Sequence, residues 1–183
     1  MVKQNKELMK GTWQGFLSGD NESFMVLYNE YVSQLYNYGM RFTSNKELIK
    51  DCIQDLFLKL YENRKKLNPV ENVKVYLYIS MKNALFNLFK KELEYYQIDT
   101  IEPVFNIDFT VENEIIEKEY LFEQKKSIAR MMENITPRQR EVLYYRFIEE
   151  LSYEEICVLM KMNYQSVRNL IHRTISKIRT TIQ

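Results

Sequence analysis

The sequence predicts an all-α protein, built from two small helical domains that an acidic linker joins. Three observations predict this class. The chain has only 4 Gly and 3 Pro in 183 residues, too few for a turn-rich β-sandwich or barrel. Its apolar residues recur at spacings of 3 and 4, the period of an amphipathic helix. Residues that cap helices precede several of these segments.

The first two helices are predicted between residues 20 and 67. Asp20 or Asn21 can cap a helix. Its apolar face comprises Phe24, Leu27, Tyr28, Tyr31, Leu35, Tyr38 and Phe42. Ser44-x-x-Glu47 is a capping box that predicts the start of the second helix. The second apolar face comprises Leu48, Cys52, Leu56 and Leu60, with Ile49, Ile53 and Phe57 alongside. Cys52 on this face is a predicted core residue.

A third helix is predicted from about Glu71 to Lys91, after Asn68-Pro69 breaks the chain. Its core face comprises Val73, Leu77, Met81, Ala84 and Leu88. A second face comprises Tyr76, Ser80, Asn83, Asn87 and Lys90, with Tyr78 and Lys82 as a further pair. Aromatic, amide and ammonium groups suit unpaired bases. A solvated helix face explains the same pattern, and periodicity alone favours that explanation.

An acidic segment separates two basic ones. The net charge is −9 over residues 92–124, between +3 over residues 20–91 and +5 over residues 125–183. Residues 92–113 show no sustained period and read as a linker, followed by a predicted helix over about residues 114–133. The linker's apolar residues indicate that it packs transiently or docks on something: Ile98, Ile101, Val104, Phe105, Ile107 and Phe109. The charge pattern fits a nucleic-acid binder with two contact regions, or an acidic loop between ordinary lobes.

The C-terminal segment has the pattern of a helix-turn-helix. Thr136-Pro-Arg-Gln139 predicts a helix start with a Thr cap and Pro at the first position. Ser152-x-x-Glu155 predicts a short helix through Met160. Lys161-Met162 forms a tight connection, and Asn163 caps a last helix through about Arg179.

The last helix divides into an apolar and a polar side. The apolar side comprises Val167, Leu170, Ile171, Thr174, Ile175 and Ile178. The polar side comprises Gln165, Arg168, Asn169, His172, Arg173, Ser176 and Lys177. Donors of this kind are what a helix in a DNA major groove requires. A generic surface helix is the alternative, but such helices usually include acidic residues, and none follows Glu155.

Composition excludes several classes of protein. No apolar run approaches the roughly 18 residues of a membrane-spanning helix, and the first residues lack a signal-peptide core. Cys52 and Cys157 are too few for a disulfide framework or a zinc site. One His, two separated Cys and no Gly-rich phosphate loop leave no credible catalytic set, cofactor site or metal site. The sequence therefore predicts a cytoplasmic protein that is not an enzyme.

At both ends the sequence resembles the extracytoplasmic-function group of bacterial sigma-70 factors. Thr136-Pro-Arg-Gln-Arg-Glu-Val-Leu-Tyr-Tyr-Arg-Phe and Leu151-Ser-Tyr-Glu-Glu-Ile are similar to domain four of that family. Asp51-Cys-Ile-Gln-Asp-Leu-Phe-Leu-Lys-Leu is similar to the part of domain two that docks on polymerase. Tyr76-Leu-Tyr-Ile-Ser-Met-Lys-Asn is similar to its promoter-melting helix. The resemblance implies an N-terminal extension (1–19), domain two (20–91), an acidic linker (92–113) and domain four (114–183).

The resemblance also implies roles for matching residues. The surface that grips the clamp helices of the polymerase β′ subunit would comprise Asp51, Gln54, Asp55 and Phe57. Contacts to the melted minus-ten element would come from Asn68, Asn72, Tyr76, Tyr78, Lys82 and Asn83, with a flipped base held around residues 68–72. Contacts to the minus-thirty-five element would come from Gln165, Ser166, Arg168, Asn169, His172, Arg173 and Lys177.

The implied function is transcription initiation without chemistry on the DNA. The implied partners are core RNA polymerase, through its β′ clamp helices and β flap, promoter DNA and an anti-sigma factor, with no insertion into a membrane. The alternative is a stand-alone regulator whose helical N-terminal segment senses a ligand and which binds promoter DNA tightly by itself, without a polymerase-docking surface. Lys161 departs from the family pattern, which often has Gly in this turn, so a positive φ would strain it. Asn87 and Phe89 depart too, so no contacts are carried over beyond Asn83.

Overall fold

The computed structural model describes residues 2–96, 105–106 and 134–182. The chain divides into two compact units, residues 1–103 and residues 104–183, called unit 1 and unit 2 below. Every regular element within the described ranges is helical, which confirms the predicted all-α class. The helix predicted over residues 114–133 lies outside those ranges, as does most of the predicted linker.

Over residues 2–96, unit 1 contains four helices, three of which the sequence predicted. They are α1 (Val2–Leu17), α2 (Asn21–Gly39), α3 (Lys46–Asn63) and α4 (Val73–Tyr96), with a 3₁₀ turn at Arg64–Lys66. Helices α2, α3 and α4 pack against one another, and α1 packs against α2 and α4. Their fully buried side chains include Leu35, Tyr38, Ile49, Leu77, Met81 and Leu85. Burial of this apolar surface is the main term that stabilises the unit.

The caps of α2 and α3 fix where those helices begin. The Asp20 carboxylate accepts hydrogen bonds from the backbone N–H groups of Glu22 and Ser23, as the sequence predicted for α2. The predicted capping box at Ser44 is wrong, because α3 is capped by Asn45. The Asn45 side chain accepts from the backbone N–H of Leu48 at 3.1 Å. Asn45 takes this role since the helix begins one residue later than the box requires.

Helix α4 is longer than predicted, and the buried residues in its C-terminal half differ from the predicted ones. It ends at Tyr96, although the sequence predicted an end near Lys91. Leu85 is fully buried, whereas Leu88 is 37% exposed and does not belong to the core. At the crossing of the bundle, Gly39 leaves room for its neighbours, since a Cβ there would lie 2.8 Å from Cγ2 of Ile49. Any larger residue at this position would push the helices apart.

Helix α1 was not predicted. The family resemblance implies that residues 1–19 are an N-terminal extension, but Met9, Trp13 and Phe16 are buried against the rest of unit 1. The Trp13 ring meets the ring of Phe16 at 5.5 Å and the ring of Tyr76 at 5.2 Å between centroids. The three buried positions are spaced 4 and 3 apart, so the helical period was present in the sequence.

Unit 2 contains the two predicted capping boxes and the predicted helix-turn-helix. Its elements are α5 (Pro137–Leu143), a π-helical turn (Tyr144–Ile148), α6 (Tyr153–Met160) and α7 (Tyr164–Ile182). Thr136 with Gln139, and Ser152 with Glu155, form both reciprocal hydrogen bonds of a capping box. The core comprises Val142, Tyr145, Leu151, Ile156, Val167 and Thr174.

Two residues of the predicted linker, Phe105 and Asn106, belong to unit 2 and contact its helices. Phe105 is 2% exposed and packs edge-on against the ring of Tyr144. Beside it, the guanidinium of Arg140 donates a hydrogen bond of 3.2 Å to the side-chain oxygen of Asn106. The prediction that apolar linker residues dock on something is thus confirmed for Phe105. The other apolar linker residues lie outside the described ranges.

Candidate nucleic-acid interface

The exposed side of α7 carries hydrogen-bond donors and basic groups. Val167, Ile171 and Thr174 point into the core of unit 2. The exposed residues between them are Gln165, Arg168, Asn169, His172, Arg173, Ser176 and Lys177. Each of them lies three or four residues from another member of the set, so they form one face. Six of the seven residues predicted to contact the minus-thirty-five element lie on this face.

The seventh predicted residue, Ser166, is half-buried. Its backbone N–H donates to the Asn163 side chain at 2.8 Å, which confirms Asn163 as the cap of α7. Next to it, the amide of Gln165 donates to the Asn169 side-chain oxygen at 3.1 Å. This bond restrains two exposed amides relative to each other, which lowers the entropy that they would lose on binding a partner.

The connection between α6 and α7 is a tight turn with left-handed backbone at Lys161. Its φ and ψ are 51° and 48°, so of the two alternatives left open by the sequence, a strained positive φ or a different turn, the structure has the positive φ. The backbone N–H of Met162 donates to the Cys157 carbonyl at 3.0 Å and closes the end of α6. Lys161 itself is exposed, which leaves a positive charge in the turn.

Unit 1 has a second polar face, on α4. Asn83 is exposed, and Lys82 is half-buried with its ammonium 5.5 Å from the ring centroid of Phe86. Tyr76 is also half-buried, with its ring edge-to-face on Trp13. The Asn83 amide is thus exposed and the Lys82 and Tyr76 side chains are partly exposed, and groups of these types suit unpaired bases.

The prediction for Tyr78 is wrong. Tyr78 has no exposed surface and stacks on the ring of Tyr38, with centroids 4.3 Å apart and ring planes 14° apart. The side chain lies in the core because α4 packs on α2 at this level. Tyr78 therefore supports the fold and does not face a nucleic acid in this structure.

The segment before α4, residues 67–72, is held from both sides. The Asn72 side chain accepts from the backbone N–H of Val75 at 3.2 Å and so caps α4. The Asn68 carbonyl accepts from the indole N–H of Trp13 at 3.2 Å. The Asn68 side chain is exposed, and that of Asn72 is half-buried. Both predicted residues are therefore in one short connection beside Tyr76.

The predicted polymerase-docking residues divide into exposed and buried ones. Asp51, Gln54 and Asp55 are exposed on α3. The prediction for Phe57 is wrong, because this side chain is only 3% exposed. Its ring lies edge-on against Tyr28, at 4.9 Å between centroids, within the contact of α3 with α2.

A groove of about 540 Å³ lies between α3 and α4. Its apolar lining includes Leu56, Leu60, Ala84 and Leu88, and its polar rim includes Asp55, Lys59, Asn87 and Lys91. Cys52 contributes to the wall, and burial raises the pKa of its thiol, with Asp55 and Asp51 adding to the effect. The thiol therefore stays protonated at neutral pH, which makes it a poor nucleophile.

The described residues hold neither a cluster of metal ligands nor a membrane-spanning helix. Among the described residues, no three His, Cys, Asp or Glu side chains gather as ligands for a metal ion. Across those same ranges, no helix combines the length and the apolar character needed to cross a bilayer.

Comparisons with known proteins agree with this arrangement. The family model for Sigma-70 region 2 matches residues 27–93, and the one for Sigma-70 region 4 matches residues 125–178. Together they span about two thirds of the chain. The first match contains the polar face of α4, and the second contains the exposed face of α7 up to residue 178.

Two relatives from Bacillus subtilis (strain 168) are similar to most of the chain. One is "RNA polymerase sigma factor YlaC", 26% identical over 154 residues that cover 83% of this chain and 87% of that protein. Another is "ECF RNA polymerase sigma factor SigM", 21% identical over 84% of this chain and 91% of that protein.

Two solved structures share the fold. One shows CnrH in complex with the cytosolic domain of CnrY, with a TM-score of 0.62 and 15% identity over 94% of this chain and 96% of that chain. Another shows the sigma factor RpoE from Bartonella quintana in complex with the anti-sigma factor NepR. Its TM-score is 0.60 at 16% identity, over 88% of this chain and 97% of that chain.

Proposed function

The chain belongs to the extracytoplasmic-function group of the sigma-70 family, and from this premise we propose how it acts at a promoter. In the proposal it binds core RNA polymerase and reads an upstream and a downstream promoter element. It then stabilises the melted strand. Its work is differential binding of duplex and single-stranded DNA, in the cytoplasm, without catalysis.

The observation that carries the proposal is the exposed face of α7. Arg168 and Arg173 can each donate two parallel hydrogen bonds to guanine, and Gln165 and Asn169 suit adenine. The helix follows a tight turn and contains no acidic residue that would repel phosphate. Lys177 lies more than two turns beyond the N-terminus of α7, where phosphate is the expected partner.

Unit 1 supplies the downstream half of the proposal. Asp51, Gln54 and Asp55 form the exposed surface proposed to meet the β′ clamp helices. Asn83, Lys82 and Tyr76 are proposed to contact the melted strand, while residues 67–72 hold a base that has left the stack. Phe57 and Tyr78 are not included, because both are buried.

The proposed regulation is by an anti-sigma factor. The structure of RpoE is described as a complex with an anti-sigma factor, and its fold is the one seen here. We propose that a partner of that class occupies surfaces that polymerase would otherwise use. The β flap is proposed as the contact of unit 2 on polymerase.

The experiment is run-off transcription with purified bacterial core polymerase, on sheared genomic DNA from the source cell. We expect transcripts from a small set of start sites only when this protein is added. Arg168→Ala with Arg173→Ala should abolish them, while Ser176→Ala, on the same face, should preserve them. No stimulation at any start site would refute the proposal.

A stand-alone regulator would give a different result. It would bind promoter DNA tightly without polymerase, and adding core polymerase would not change which sites it protects. Footprinting of the protein alone and with core polymerase therefore separates the two functions. We expect protection only with polymerase.

A further inference from the structure

Helix α1 contacts both ends of the segment over residues 67–72, called the promoter loop below. From the α1 side, the Trp13 indole N–H donates to the Asn68 carbonyl at 3.2 Å. One turn earlier, the Lys10 ammonium donates to the Glu71 carboxylate at 2.8 Å. Both contacts join residues more than fifty positions apart in the sequence. Lys10 and Trp13 lie outside the span that the region 2 family model matches, since that span begins at residue 27, whereas Asn68 and Glu71 lie within it.

The Trp13 contact is the stronger of the two. Trp13 is 1% exposed, so its N–H has lost contact with water and depends on the Asn68 carbonyl. In the Lys10–Glu71 pair the Glu71 side chain is 93% exposed, and ion pairs this exposed contribute little to stability. The backbone position of Asn68 is thus set by a buried donor, and the Glu71 contact adds a weak second restraint.

Trp13 also supports the first residue of the polar face of α4. Its ring lies edge-to-face on Tyr76, at 5.2 Å between centroids. Tyr76 begins the face proposed to meet the melted strand, and Asn68 begins the loop proposed to hold a flipped base. One side chain of α1 therefore touches both parts of the proposed downstream site without being exposed itself.

We propose that α1 is a brace for the promoter loop and that Trp13 is a positioning residue for recognition of the downstream element. This inference rests on the proposed function, because it needs the loop to hold a base. A loop without regular structure must be ordered before it can discriminate between bases, and any freedom that it keeps lowers that discrimination. The indole N–H removes this freedom at Asn68.

The variant that tests the brace is Trp13→Phe. It keeps an aromatic ring against Tyr76 and Phe16 but removes the N–H donor. Trp13→Ala is less useful, because loss of a buried indole can unfold the unit. The matched control is Gln14→Ala, a change at an exposed neighbour on the same helix.

The first readout does not depend on DNA. Amide hydrogen exchange of the full chain should become faster over residues 67–76 in Trp13→Phe, and stay unchanged over residues 46–63. The control should resemble the unsubstituted chain everywhere. Unchanged exchange over residues 67–76 would overturn the brace.

The second readout is base discrimination by the holoenzyme. Single-stranded oligonucleotides with each of the four bases at every downstream position are competed for binding. Trp13→Phe should reduce the preference at the position read by the loop by roughly threefold to tenfold, the worth of one hydrogen bond. Upstream preference and core affinity should stay the same. An equal loss for all four bases, or an intact preference, would overturn the positioning role.

The same experiment separates failure of the brace from failure of the proposed function. If the unsubstituted holoenzyme shows no base preference at any downstream position, the loop does not read a base. The proposed function of unit 1 would then be wrong, and the positioning role with it. The exchange data would still decide whether α1 braces the loop.

Discussion

Phe105 and Tyr144 pack edge-to-face with ring centroids 5.4 Å apart, so a residue of the acidic linker belongs to the core of unit 2. Phe105→Ala should lower the free energy of unfolding of unit 2 by about 3 kcal/mol, because it leaves a cavity beside Tyr144 and Tyr145. Amide exchange over residues 142–151 measures the loss. Phe147→Ala, at an exposed ring, should change little. Equal effects of the two variants would contradict the packing.

Asn83 and Tyr78 lie five residues apart on α4, and we expect only a substitution of Asn83 to reduce open-complex formation. Asn83→Ala removes an exposed amide, so we expect normal polymerase binding and fewer open complexes. Tyr78→Phe keeps the ring that stacks on Tyr38, so open-complex formation should be normal. Permanganate reactivity of melted thymines is the measurement. If Tyr78→Phe reduced promoter melting while the variant protein kept its normal stability, Tyr78 would contact DNA after all.

Asp55 tests the docking surface. Asp55→Lys should weaken binding to core polymerase by about tenfold or more, since it reverses the charge of a side chain proposed to lie in the interface. The fold should be unaffected, because Asp55 is exposed and its contact with Lys59 is a long 3.9 Å. Competition for core polymerase against a labelled sigma factor gives the affinity. The control is Glu7→Lys, the same charge change at an exposed residue of α1. An equal loss of affinity in Glu7→Lys would contradict the assignment of Asp55 to the docking surface.

Substitutions of Arg168 and Lys177 should have different effects on promoter binding, one on base preference and the other on overall affinity. Arg168→Ala should relax the preference at one or two upstream base pairs by about 1–3 kcal/mol, because it removes a base contact. Lys177→Ala should weaken all promoters alike and reduce the salt dependence of binding by about one charge. A library with a randomised upstream element, transcribed by each holoenzyme, measures both. If the effects were exchanged, α7 would lie in the groove in the opposite direction.

Lys161 lies in left-handed backbone, which costs a residue with a Cβ about 1–2 kcal/mol. Lys161→Gly should therefore raise the free energy of unfolding of unit 2 by about 0.5–1 kcal/mol, after the greater freedom of glycine in the unfolded chain is subtracted. Thermal unfolding by circular dichroism is the measurement. Lys161→Ala also removes the charge but keeps the Cβ, so it should bring no gain. Equal stabilisation by both would attribute the effect to charge.

Local signals in the sequence predicted the elements well. The capping boxes at Thr136 and Ser152 specify helix starts through bonds between residues three apart, so no tertiary information is needed. The two faces of α7 follow from the helical period, because one side of that helix packs on unit 2 and the other stays exposed.

Side chains on helices with several neighbours were harder to predict. Helix α3 contacts both α2 and α4, so Leu56 and Phe57 are both buried although they are adjacent. The apolar pattern already placed Phe57 alongside the core face of α3, and only the resemblance to the family gave it a docking role. Tyr78 was predicted on the polar side of α4 as a pair with Lys82, whereas α2 covers it in the fold.

Contacts between distant residues could not be predicted at all. The spacing of Met9, Trp13 and Phe16 was visible, but their partner surface depends on how α1 lies against α2 and α4. The bond from Trp13 to Asn68 joins two residues that no local pattern relates. Phe105 was noted as apolar, yet only the fold identifies Tyr144 and Tyr145 as its neighbours.

The position of Trp13 has a spectroscopic consequence. It is the single tryptophan of the chain, so indole emission arises from unit 1 alone. Because the ring is buried beside Tyr76, the emission of the folded protein should be shifted to the blue and poorly quenched by acrylamide. With excitation that selects tryptophan over tyrosine, changes in that emission would report on the surroundings of Trp13, beside Asn68, and not on unit 2. The chain thus carries its own fluorophore at the place where the proposed downstream contacts form.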